Sequence, residues 1–250
     1  MIHSHDHFFV YPQDVGEHTL KIKGSEFRHA VKIMRKNAGS NFAAVDGCGN
    51  CYECQVIKIS DSFLQARILK RYEKYGEPNF NLALAVGLLK SSRFEWIVEK
   101  GTEIGVGQFI PVICERSVAI SENKVNRWQR IALTAMKQCG RSMLPKVHEV
   151  VTFVKVIELF SRCSLRLIAS ETDSAKDTAI AVLNLRNKHE QGILLIGPEG
   201  GFSDKETLKA LNCGFIPIEL GKRRLRSETA AIIAATQILT QCGELGGIQP

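Results

Sequence analysis

The chain has 250 residues, 44% of them hydrophobic and 24% charged, with a formal net charge of +7. This is a globular composition, long enough for one large domain or two smaller ones, and it excludes a disordered chain. No apolar stretch approaches the roughly 20 residues of a membrane-spanning helix, and the opening MIHSHDHFFV lacks the basic and apolar regions of a signal peptide, so a soluble, cytoplasmic protein without a membrane partner is expected. The positive excess admits a polyanionic partner such as RNA without requiring one.

Residues 1–75 read as a β-rich unit. Runs of strand character at Phe42–Asp46, Tyr52–Ile59 and Phe63–Leu69 are separated by turn signals such as Asp46-Gly47 and Ser60-Asp61. Ahead of these runs, within the same unit, lies a helix-like piece, Glu26–Lys36, with Phe27, Ala30, Val31 and Met34 on one face. The segment from Lys21 to Lys36 carries Lys21, Lys23, Arg28, Lys32, Arg35 and Lys36 against the single acid Glu26. A basic helix on a β-barrel suits a phosphate backbone, and an ordinary solvated helix face has the same composition.

The eight cysteines are scattered, which in a chain of this size means reduced thiols. Cys48, Cys51 and Cys54 form a C-x2-C-x2-C spacing compatible with zinc or an iron–sulfur cluster, but in a strand Cys51 and Cys54 point to opposite faces, so no metal is expected. His3, His5 and His7 sit in a terminal segment and read as incidental.

The polar stretch Lys70–Phe80, with Gly76 and Pro78, predicts a linker. From residue 76 to 250 strands alternate with helices. Strand Asn81–Leu88 leads to Ser92 and Glu95, spaced as a capping box, and to a helix with Phe94, Ile97, Val98 and Ile104 on its buried stripe. Strand Phe109–Cys114 leads to a helix over Lys124–Cys139 that buries Trp128, Ile131, Ala132, Ala135 and Met136. Strands Leu165–Ser170, Ile193–Ile196 and Phe215–Leu220 follow. Continuous apolar strands alternating with helices predict an α/β domain whose parallel sheet is covered on both faces.

Two strand ends in this half organise the rest. GILLI stops at the turn GPEGGFS (Gly197–Ser203), where Gly200 and Gly201 give the backbone freedom to expose a loop, and Ser203 with Glu206 predicts a capped helix. FIPIEL stops at LGKRRLRSETAAIIAA (Leu220–Ala235), a basic turn feeding a second helix near Ser227. The carboxyl edge of such a sheet is where ligands bind. GPEGGFS lacks the lysine and hydroxyl of a Walker A loop, and G-x-G-x-x-G is absent, so a dedicated phosphate clamp is excluded. A nucleoside held by backbone groups fits, S-adenosylmethionine among them.

GPEGGFS, LGKRRLRSETAA, Lys90 with EKGTEIGV (Glu99–Val106), KQCGRSMLP (Lys137–Pro145) and HAVKIMRKNAG…DGCG, in this order and spacing along nearly the whole chain, resemble the ribosomal RNA small subunit methyltransferase E family. The family belongs to the SPOUT class, so the resemblance implies a trefoil-knotted methyltransferase domain over 76–250 and a PUA-like β-barrel over 1–75. It further implies a homodimer that methylates N-3 of a uridine in 16S rRNA of the small ribosomal subunit, with S-adenosylmethionine as cofactor. Carried over to this sequence, the cofactor site comprises Ile196, Gly197, Pro198, Glu199 and Gly200 on the first loop and Leu220, Gly221, Leu225, Arg226 and Ser227 on the second. Lys90, Glu103, Gln138 and Arg141 lie near the site, and the RNA-facing helix carries Arg28, His29, Lys32, Arg35 and Lys36. The family usually has threonine at the position of Ser227 and isoleucine at that of Arg224.

Methyl transfer from a sulfonium needs alignment above all. A uracil ring nitrogen must also lose a proton, for which Glu199 and Glu228 are the carboxylate candidates, while Arg226 suits the charge developing on the uracil oxygens. Two alternatives share these residues: a methyltransferase for another rRNA or tRNA site, and a non-catalytic RNA-binding assembly factor.

Overall fold

The computed structural model describes residues 7–117, 124–170 and 190–246; His3 and His5 lie outside them. Two compact units emerge, Met1–Glu77 together with Leu133–Leu144, and Pro78–Ala132 together with Pro145–Pro250.

In the first unit, strands β1 (His7–Phe9), β2 (Thr19–Lys23), β3 (Asn41–Val45), β4 (Asn50–Ile59) and β5 (Phe63–Glu73) form a sheet in the order β1-β3-β4-β5-β2. Only β1 and β3 run parallel; the other neighbours are antiparallel. Two register shifts in the long β4–β5 hairpin, at Glu53/Cys54 and Val56/Lys58, bend the sheet. One face buries Phe8, Phe42, Tyr52, Cys54 and Leu64, and the other buries Ala43, Val45 and Cys51 against Met136, Leu133 and Leu144. Cys51 and Cys54 therefore lie in separate cores, as strand periodicity requires. Burial pushes the Cys51 thiol up to about 12 and the Cys54 thiol higher still, so neither is a ready thiolate.

The expected linker is firmer than its composition suggests. Lys70–Glu73 continue β5, and the Glu77 carboxylate accepts from Arg141 Nη2 at 2.7 Å and from the backbone N–H groups of Ser142 and Met143. Glycine and proline mark turns, not looseness, and here the turn is anchored by a buried ion pair whose side chains are 5% and 6% exposed.

The second unit holds a fully parallel sheet, among the described residues, from β6 (Asn81–Gly87), β7 (Gln108–Ile113), β8 (Lys146–Val147), β9 (Val151–Thr152), β10 (Leu165–Ala169), β11 (Gln191–Ile196) and β12 (Ile216–Ile218). The order is β12-β10-β11-β6-β7-β8, with β9 also on β7. β6 and β11 are buried at every position after the first, the pattern of central strands covered on both faces. Helices α4 (Phe153–Leu159) and α5 (Asp204–Asn212) contribute Phe153, Val156, Ile157 and Ala210 to the core on one face. Helices α2 (Ser91–Ile104) and α6 (Ser227–Gln241) pack together, with α6 against β6 and β11. Helix α3 (Val125–Cys139) buries Trp128 against Phe94, with ring centroids 4.4 Å apart.

The capping box at Ser203 forms: Ser203 N–H donates to Glu206 Oε2 at 2.9 Å, and Glu206 N–H donates to Ser203 Oγ at 3.3 Å. The one expected at Ser92 does not. Helix α2 starts two residues earlier, with Lys90 as its N-cap and no side-chain cap, and Glu95 is held by two nitrogens of the Arg127 fork. No helix among the described residues is long and apolar enough to cross a membrane.

Candidate active site

The two glycine loops meet. Ile196, Gly197, Pro198, Glu199 and Gly200 line the same cavity of about 870 Å³ as Leu220, Gly221, Leu225, Arg226 and Ser227. The sheet dictates this: β11 and β12 flank β10 and run parallel to it, so the loops after them leave from the same edge.

Each loop is shaped by short-range sterics. Gly201 has φ +69°, its N–H closes a turn on Pro198 O at 2.8 Å, and a side chain there would be strained. Gly200 needs space instead: an added Cβ would stand 3.1 Å from Arg116 Cβ. Gly87, at the end of β6, went unnoticed in the sequence, yet a Cβ there would meet Pro198 Cδ at 2.4 Å. The first loop thus rests directly on the backbone of the neighbouring strand.

Two arginines that sequence reasoning missed fix this loop. Arg116 lines the cavity and donates through Nη1 to Gly200 O at 3.3 Å and Phe202 O at 3.1 Å. Arg93, in the first turn of α2, donates to Glu199 Oε1 at 2.8 Å and lies 3.6 Å from Glu228 Oε1. It joins the first loop to the helix that follows the second. No local pattern signals these contacts, because Arg93 and Glu199 are 106 residues apart.

The carboxylates proposed as proton acceptors are therefore already engaged. Glu199 lines the cavity; Glu228 does not, and it sits one residue inside α6 facing Arg93. Glu228 Oε2 is buried and has no hydrogen-bond partner among the described residues. Arg226 is exposed, lines the cavity and serves as the N-cap position of α6. Burial pushes the Cys114 thiol up to about 12, which removes this nearby cysteine as a nucleophile.

The residues expected to face RNA divide. Arg28, Lys32 and Arg35 are exposed, His29 is half-buried against Phe8 at 5.7 Å, and Lys36 is half-buried with its Nζ on Asn41 O. Arg28, His29 and Lys32 lie on α1 (Gly24–Arg28) and the wider turn His29–Ile33 that continues it, and Arg35 and Lys36 follow just after. Glu26, the one acid of the segment, turns inward to Lys137 at 2.6 Å and to the Phe9 N–H at 3.0 Å, leaving the outward cations unopposed. Lys90 and Gln138 are exposed, in the second and first unit respectively. Arg141 is a correction. It is 4% exposed and forked onto Glu77, so its guanidinium holds the chain together and faces no solvent. Glu103 lies 2.9 Å from Lys100.

Residues 76–239 match the family model described as an RNA methyltransferase domain, and residues 22–69 match that of an RNA methyltransferase PUA domain. Fold and cavity together define an RNA methyltransferase. The ribosomal RNA small subunit methyltransferase E of a Synechocystis strain is 32% identical over 230 residues, which are 92% of this chain and 75% of that one. The Bacillus subtilis protein of that name is 29% identical, over 92% of this chain and 93% of its own. A solved structure of the Neisseria gonorrhoeae enzyme bound to S-adenosyl methionine matches with a TM-score of 0.80 and 26% identity, covering 94% of this chain and 97% of that one. The chain belongs to the ribosomal RNA small subunit methyltransferase E family.

Proposed function

We propose that this chain methylates N-3 of a uridine in the 16S rRNA of the small ribosomal subunit. The methyl donor is S-adenosylmethionine. In this reading residues 1–75 are the RNA-binding barrel, residues 76–250 the catalytic, trefoil-knotted domain, and the working form is a cytoplasmic homodimer. The observation that carries it is the convergence of GPEGGFS and the Leu220–Ser227 turn on one cavity.

The cavity suits the donor. Its volume falls within the roughly 300–1,000 Å³ of small-molecule sites, and Ile196, Pro198, Leu220 and Leu225 supply the apolar slot that a purine's faces require. Backbone groups of Leu220 and Leu225 hold the adenine edge. When bound, S-adenosylmethionine supplies an electrophilic methyl on a sulfonium. The protein supplies alignment and charge: Arg226 stabilises the negative charge that grows on the uracil oxygens as N-3 loses its proton. Glu199, which lines the cavity and has its Oε1 on Arg93, is the better carboxylate to accept that proton; Glu228 lies outside the lining, beside the same Arg93. Arg28, Lys32 and Arg35 hold phosphates and position the RNA.

The deciding experiment is transfer of labelled methyl to small subunits lacking the modification, followed by nucleoside analysis. Label in 3-methyluridine is expected. Label in another nucleoside, or only in tRNA, contradicts the assignment, and absence of label with wild-type protein favours a non-catalytic role.

A further inference from the structure

Four basic residues stand within five positions, Lys222 to Arg226, and Arg226 alone has a task in the reaction above. Lys222, Arg223 and Arg224 follow Gly221, whose φ of +102° turns the chain outward. All three are exposed, and Arg223 and Arg224 line the cavity. Among the described residues none of the three side chains has an ion pair or hydrogen bond. The acids lining the same cavity do not neutralise them: Glu199 is held by Arg93, Asp204 occupies the first turn of α5, and Glu219 is exposed.

Such a cluster costs stability through the self-repulsion of like charges. S-adenosylmethionine carries a net positive charge, its single carboxylate outweighed by its sulfonium and ammonium groups, so the donor does not call for three further cations. The cluster suits an anion arriving at the mouth of the cavity, and the second substrate of an RNA methyltransferase is a polyanion. We propose that Lys222, Arg223 and Arg224 grip the phosphates of the RNA strand that presents its base to the cavity. This is a contact surface of the second unit, separate in sequence from Arg28–Lys36. It rests on the reading of the cavity as the methyl-transfer site. Phosphate contacts of this kind position a strand without reading its sequence.

The test compares wild type, K222Q/R223Q/R224Q, and a charge-matched control, K155Q/K205Q/K209Q, whose three lysines are exposed elsewhere in the same unit. Each is titrated with a fluorescently labelled, uridine-containing single-stranded RNA at several salt concentrations, and separately with S-adenosylmethionine. The rim variant should bind RNA about 10- to 100-fold more weakly near 0.1 M salt, and its slope of log affinity against log salt should be shallower by about 2, the value for three lost single-strand phosphate contacts. Its affinity for S-adenosylmethionine should stay within about fivefold of wild type, the scale of exposed charge effects. RNA binding by the rim variant at the wild-type level, or an equal loss in the control, overturns the inference. A wild-type protein that fails to bind S-adenosylmethionine sinks the methyl-transfer reading instead, so the two failures are distinct.

Discussion

Two short runs of positive charge, Arg28–Lys36 in the first unit and Lys222–Arg226 in the second, look alike in sequence and differ in how the protein frees them. In the first, the nearby acid Glu26 is drawn inward by Lys137 and the Phe9 N–H, so Arg28 and Lys32 on a short helical segment, and Arg35 just after it, stand without an ion pair among the described residues. In the second, the cations sit on a turn at the edge of a cavity whose other wall is a glycine loop. The first run can contribute affinity alone. In the proposed reading the second contributes affinity and, through Arg226, chemistry.

The comparison is sharpest against an arginine that belongs to neither run. Replacing Arg141 with alanine should leave Glu77 buried and uncompensated, lowering stability by about 3–5 kcal/mol in denaturant unfolding. RNA affinity per folded molecule should not change; a loss of RNA binding at full stability would return Arg141 to the interface. Replacing Arg226 with alanine should reduce turnover by about 10²- to 10³-fold while titration with S-adenosylmethionine gives near wild-type affinity. Wild-type turnover would move the chemistry off this turn. Arg93→Ala should release both Glu199 and Glu228 and weaken S-adenosylmethionine binding about five- to tenfold, as expected for two half-exposed contacts that preorganise a loop. Unaltered binding would show that the loop holds its shape through Gly87 and Arg116 alone. The double variant R28A/K32A should weaken RNA binding by roughly tenfold and leave the cofactor untouched. The smallest effect is expected at Arg35, which adopts φ +51°, a left-handed conformation that glycine enters without penalty. Arg35→Gly should match or exceed wild-type thermal stability, by up to about 1 kcal/mol, while losing a few-fold in RNA affinity. A marked drop in stability would mean that the side chain packs and does not merely reach outward.

What was legible in the sequence follows from the range of the forces involved. Periodicity places β3, β4, β6, β7, β10, β11 and β12 within one or two residues; it stops β5 four residues short, where charged residues hide the strand, and it misses β2 and the short pieces β1, β8 and β9. The loops were legible because glycine, proline and capping residues act locally. The contacts that fix those loops were not, since Arg93, Arg116 and Gly87 act across sequence distances that no window spans. The same limit explains the misplaced capping box at Ser92: serine and glutamate had the right spacing, but Arg127 offered Glu95 a better partner from another helix. It explains Arg141 too, whose charge reads as solvent-facing until Glu77 is seen buried beside it.

The central claim is that residues 197–203 and 220–227 are two walls of one methyl-donor site. Hydrogen–deuterium exchange with and without S-adenosylmethionine tests it directly. Slowed exchange in peptides from both loops, with residues 24–36 unchanged, is the predicted result; protection of only one loop, or of neither, would contradict it.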